Sequence, residues 1–211
     1  MIPDFSKASD FAEILGRLVQ AARSIMMDHE LVYRDTSWGI TALELYLYTA
    51  SNVWRDCTTH RSPAQAETGN WYVHCYKNGN FRAPQYSGID ITAGSRNGLA
   101  DEVTYAGLLI RELDSNDGSA KAFQSIVRGK YLSDERRWTD EERQRIREIH
   151  GTGIKSGPLR LVSRSTPKTC QLWIGPRKLS TKRPEAERFK HAHLRVATWR
   201  TRLHYEKMVA I

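Results

Sequence analysis

Cysteine is scarce: the sequence holds three, Cys57, Cys75 and Cys170, and they are scattered. No CxxC pair and no Cys/His spacing marks a zinc site or an iron–sulfur cluster; no metal or organic cofactor is expected. An odd, dispersed set gives no disulfide framework and suits a reducing cytosol. Long apolar runs are missing too. None approaches the roughly 20 residues of a membrane-spanning helix, and the opening Met1 to Lys7 has no apolar signal core. No membrane partner is expected. Internal repeats and low-complexity tracts are also absent.

What is present fits one globular domain over residues 1–211. Hydrophobic residues make up 40% and charged residues 27%, which excludes a disordered chain. The length allows a real core without a stapling metal. Lysine and arginine outnumber aspartate and glutamate by 32 to 24, a net charge of +8. That excess favours a polyanionic partner, most often nucleic acid. The expected setting is cytoplasmic and nucleoid-associated, and the expected state is a monomer.

Residues 10–29 carry Phe11, Ile14, Leu15, Leu18, Val19, Ala22, Ile25 and Met26 at helical spacing. Asp10 with Glu13 supplies an N-terminal cap. Residues 40–49 are apolar and β-prone, with Glu44 interrupting the run. A buried carboxylate costs several kcal/mol unless something satisfies or uses it. Glu44 is therefore either a working group or an edge-strand residue facing water. Residues 51–70 read as a loop and Trp71 to Tyr76 as a strand. Lys77-Asn78-Gly79-Asn80 is a turn, and Ile89–Thr92 and Ala106–Leu113 are further strands. Residues 118–131 suggest a helix, and Thr139 with Glu142 caps a charged helix over 140–149. Cys170–Ile174 and Leu194–Tyr205 complete the strands. Consecutive strands with tight turns predict an α+β domain built on antiparallel sheet. The stretch from Arg177 to Arg202 is dense in Lys, Arg and His and fits phosphates or a solvated surface.

The order of several short motifs resembles the alkyladenine (3-methyladenine) DNA glycosylases. They are Glu44-Leu45-Tyr46, then Asp56-Cys57-Thr58-Thr59-His60, then Gly69-Asn70-Trp71-Tyr72-Val73-His74. Ile89-Asp90-Ile91-Thr92 follows, then Leu108-Leu109-Ile110-Arg111-Glu112, and finally Ser156-Gly157-Pro158-Leu159-Arg160-Leu161. The likeness spans about residues 40–161. It implies that family's fold, a curved and mainly antiparallel sheet with flanking helices. It also implies a monofunctional glycosylase on double-stranded DNA. Glu44 would be the catalytic carboxylate, with Tyr46, His60, Tyr72 and His74 lining the base pocket. Arg111 and Arg160 are candidates for phosphate or pocket contacts, or for internal salt bridges. One of Tyr76, Phe81 and Tyr86 would be the wedge inserted into the duplex.

Two departures bear on the substrate. The segments around the motifs are longer than in the family, and Asp90 stands where the family has asparagine. An ionised Asp only accepts hydrogen bonds. Asp90 would therefore bind an exocyclic amine or hydroxyl, or serve as a second catalytic carboxylate. The substrate is then an alkylated or otherwise damaged base in repair, or a hypermodified phage base such as modified cytosine in defence. Two other readings stay open: a non-catalytic nucleic-acid-binding protein on the same fold, and a nucleoside or RNA hydrolase.

Overall fold

A computed structural model describes residues 2–49, 55–56, 58–97, 102–114, 116–130, 136–176, 194–198 and 209–210. Cys57, most of the basic 177–202 stretch and the second half of the strand expected over 194–205 lie outside these residues.

The chain begins with α1 (Phe11–Arg23), whose first turn is closed by Asp10 accepting from the Glu13 N–H at 2.9 Å. The helix was expected to run on to residue 29. Instead it widens into a π turn over Ser24–Asp28. There the carbonyls of Met27 and Asp28 accept from the backbone N–H groups of Lys168 and Arg164, at 2.9 and 2.8 Å. Those bonds replace the next intrahelical ones and steer the chain into β1 (His29–Tyr33).

β1 forms a hairpin with β2 (Thr36–Trp38) and pairs on its other edge with β8 (Leu159–Ser163), giving a three-stranded antiparallel sheet that the sequence reading did not anticipate. The main sheet is built around β3 (Ile40–Thr49) and β6 (Thr104–Leu113), paired antiparallel along their length. Beyond β6 lie β5 (Ile89–Ala93) and β4 (Thr68–Val73). Beyond β3 lie β10 (Leu194–Ala197), β9 (Trp173–Pro176) and β11 (Val209–Ala210), while β7 (Asn116–Asp117) adds to β6. Every pairing is antiparallel. The architecture is thus α+β, with antiparallel sheets and a few helices.

Side chains alternate between the two faces of a strand. In β3, Leu43, Leu45 and Leu47 enter the core with Leu108, Ile110, Ile91 and Trp71. The opposite face carries Glu44, Tyr46 and Tyr48. Against the core side pack α2 (Ser119–Arg128) and α3 (Asp140–Ile149), through Phe123, Ile126, Ile146 and Ile149. The capping box of Thr139 and Glu142 closes the start of α3 as expected.

Several strands shift from their expected limits; β6, for one, starts at Thr104 rather than Ala106. β4 begins at Thr68, where a bulge with Gly69 at φ +84° lets Thr68 pair with Ala93. It stops at Val73, because Cys75 bridges Phe81 in a separate small hairpin closed by the 77–80 turn. β9 starts at Trp173 rather than Cys170.

Candidate active site

One cross-strand row brings the main residues to the same face of the sheet. Arg195 on β10 pairs with Glu44 on β3, Glu44 with Leu109 on β6, Leu109 with Asp90 on β5, and Asp90 with Tyr72 on β4. Neighbouring strands lie about 4.8 Å apart, so the Glu44 and Asp90 backbones are separated by about 9–10 Å.

Glu44 is 6% exposed. Tyr46 donates its hydroxyl to Oε2 at 3.3 Å, and Arg111 Nε on β6 stands 3.7 Å from Oε1, looser than a hydrogen bond. A carboxylate offers about four acceptor positions. Among the described residues only this long bond from Tyr46 fills one of them. Arg195 also faces this row, but its guanidinium is bound to Glu112. The environment therefore makes the charge tolerable without saturating the carboxylate, which leaves acceptor positions for water or substrate.

At the other end of the row lies a dense polar and aromatic cluster. Asp90, 1% exposed, bonds His74 Nε2 through Oδ1 at 2.8 Å and accepts from Gln65 Nε2 through Oδ2 at 2.9 Å. An ionised carboxylate only accepts, so the proton of a neutral His74 sits on Nε2 and Nδ1 is the acceptor. The His60 ring meets His74 edge-on at 4.4 Å, and His60 Nδ1 is 3.2 Å from the Tyr72 hydroxyl. That hydroxyl also lies 3.6 Å from Cys75 Sγ. Burial, helped by the neighbouring His74 and Arg82, lowers the His60 pKa from 6.5 to about 4. Burial raises the Tyr72 pKa, which keeps the phenol protonated. Burial also lowers the pKa of His150, whose Nδ1 accepts the Val73 N–H at 3.1 Å. Near neutral pH His60 is an uncharged ring, suited to stacking as well as hydrogen bonding.

Local sequence explains how the loop presents His60. Asp56, fully buried, accepts at Oδ1 from the N–H and hydroxyl of Thr58, at 2.8 and 2.6 Å. The Asp-x-x-x-His spacing thus reads as an Asx turn that sets the loop. Ser62 and Gln65 then form a capping box around Pro63–Ala66, which aims the Gln65 amide at Asp90.

The other expected residues divide. Arg111 reaches Glu44. Arg160 is exposed on β8, in the smaller sheet, and does not join the cluster. Tyr76 and Tyr86 project into solvent, at 51% and 65% exposed. Phe81 instead packs against the core and edge-on to His150, at 5.5 Å. Asp90 is buried, with one bond on each carboxylate oxygen, to His74 and to Gln65. Gln65, Cys75 and His150 were not singled out from the sequence. Only Gln65 had a readable signal, the Ser-x-x-Gln capping pattern. Among the described residues no group of three His, Cys, Asp or Glu side chains is arranged to hold a metal ion, and no helix is long and apolar enough to cross a membrane.

Comparison with known proteins adds little. No family model matches the chain, and no solved structure matches it. A curated protein of Acanthamoeba polyphaga mimivirus, itself uncharacterized, is 29% identical over 90 residues, covering 39% of this chain and 41% of the viral protein. The chain therefore spans about two fifths of that relative's length.

Proposed function

We propose that the protein is a monofunctional DNA glycosylase that extrudes a modified base and hydrolyses its N-glycosidic bond, leaving an abasic site. The observation that carries this reading is Glu44: a buried, incompletely satisfied carboxylate on the same sheet face as two histidines and a tyrosine.

A base within a duplex is out of reach, so it must leave the stack at a cost of a few kcal/mol. Stacking on His60, His74 or Tyr46 offsets this, at roughly 1–3 kcal/mol per base contact. As the C1′–N bond lengthens, positive charge builds on the sugar, as in other glycoside hydrolysis. Glu44 stabilises that charge and takes a proton from water. The water oxygen bonds to C1′, and the bond pair leaves on the base nitrogen. Tyr46 and Arg111 orient the carboxylate. Asp90 is a positioning residue: it holds the His74 ring and its tautomer, so the asparagine-to-aspartate departure alters what the pocket recognises more than the reaction itself. A damaged purine and a phage-type modified cytosine are the two substrate classes in view, for repair or for defence.

One observation favours a second reading. Arg111 lies within ion-pair reach of Glu44, at 3.7 Å, and a carboxylate held as a structural ion pair leaves a non-catalytic nucleic-acid-binding protein on the same fold. Incubation with duplexes carrying alkylated, deaminated or phage-type modified bases, followed by mass spectrometry of free base, separates the two. Glycosylase action gives base release from at least one class. Duplex binding without release from any of them leaves only the second reading.

A further inference from the structure

A recess lies away from Glu44. The small 75–81 hairpin, Trp138 and one side of α3 enclose a cleft of about 440 Å³, within the range of small-ligand sites. Tyr76, Phe81 and Trp138 give it aromatic walls, and Arg136, Arg137, Arg143 and Arg147 give it four guanidiniums.

Among the described residues, the charge here has no acidic partner, unlike the other arginine of α3. Arg145 pairs with Glu141, and Arg128 from α2 pairs with Glu142. By contrast, Arg143 donates only to the Trp138 carbonyl and Arg147 only to the Gln144 side chain, each at 3.3 Å. Arg136 and Arg137 form no side-chain ion pair among the described residues. Arg143 and Arg147 are four apart and share a helix face, an arrangement that costs a few tenths of a kcal/mol through like-charge repulsion. A local rule broken with no compensation among the described residues points to a counter-charge supplied by something else. Trp138 is 6% exposed and donates Nε1–H to the Arg82 carbonyl at 2.7 Å, so it forms a fixed floor. Tyr76 is half exposed at the rim, with the Arg82 guanidinium 5.8 Å from its ring.

We propose that this cleft holds one phosphodiester-linked nucleotide of a nucleic-acid strand, with flanking phosphates on Arg143 and Arg147 and a base face against Tyr76. Planar guanidiniums match phosphate oxygens, and an aromatic face accepts any base. The site goes beyond the excision reading, because it needs neither Glu44 nor base release.

The test is fluorescence anisotropy of a labelled, unmodified ten-nucleotide thymidine strand with the full chain, from 50 to 200 mM salt. Arg143→Gln with Arg147→Gln is expected to weaken binding at least about tenfold and to flatten the salt slope by about 1.4, two single-strand phosphate contacts. Tyr76→Ala is expected to weaken it by about 5- to 100-fold. Glu44→Gln is expected to bind like the wild type, so a failure of the excision reading leaves this result untouched. The control Lys7→Gln with Arg96→Gln removes the same charge elsewhere. Equal loss in that control reduces the effect to bulk charge and overturns the proposal. So does unchanged binding in the arginine pair variant when unfolding curves show both proteins folded. A free thymidine mononucleotide binding as tightly as the strand overturns the assignment to a linked nucleotide.

Discussion

Glu44 sits beside a phenol and a guanidinium with acceptor positions to spare, and this is where substitution is most informative. Glutamine keeps the shape and removes the charge. Glu44→Gln is expected to lower single-turnover base release by about 10²–10⁴-fold, with the unfolding temperature little changed. Asp90 is wedged between His74 and Gln65, under Gly107, where an added Cβ would come within 2.6 Å of Oδ2. Asp90→Asn removes the charge that fixes the His74 proton. It is expected to shift the base preference or the rate at least tenfold, measured on a panel of modified duplexes; no change in either would make Asp90 only structural. His60 gives a pH test of the cluster. Its pKa is lowered to about 4 in the fold, against 6.5 in the unfolded chain. Between those values the unfolded chain binds the proton and the native state does not, so stability rises with pH. The contribution is complete above about pH 6.5 and is lost as pH falls toward about 4. Thermal unfolding at pH 5 and 7 is expected to show a lower Tm at pH 5, with a smaller difference in His60→Gln.

At the scale of elements, α3 depends on its cap and the sheet on a close approach. Thr139→Ala removes the capping bond to Glu142 and is expected to cost about 1 kcal/mol, lowering Tm by about 2–4 °C. At Gly94 an added Cβ would meet the Gln65 and Thr104 carbonyls at 2.1 and 2.3 Å. Gly94→Ala therefore forces backbone segments apart and is expected to destabilise by at least about 2 kcal/mol in denaturant unfolding. The same elements explain what could be read in advance. β3 and α3 matched their expected limits, since a ten-residue apolar run and a capping box are strong local signals. β1, β2 and β8 were missed because they are five, three and five residues long, and they are made by pairing across the chain rather than by pattern. In β8 the burial alternates from Leu159 to Val162, but the apolar Val162 sits on the solvent side, so the residue types hide the pattern. In the site, His60, Tyr72 and His74 were legible from motif order. Their partners Gln65, Cys75 and His150 were not, because a turn, a small hairpin and the end of α3 converge only in three dimensions.

At the scale of the molecule, the proposed function asks a net charge of +8 and the face carrying Glu44 to act together on one polyanion. Duplex affinity is expected to fall steeply with salt, at a slope near −0.9 per phosphate contacted. A flat salt profile would mean that the basic excess contacts no phosphate. On the proposed mechanism catalysis is separable from that binding, because only Glu44 is asked to respond to the charge developing on the sugar. The most direct measurement is therefore single-turnover base release, by wild type and by Glu44→Gln, from the modified duplex on which the wild type is most active. The mechanism predicts free base and an intact abasic strand from the wild type, and background release from Glu44→Gln at unchanged duplex affinity. Equal release by both proteins would contradict it.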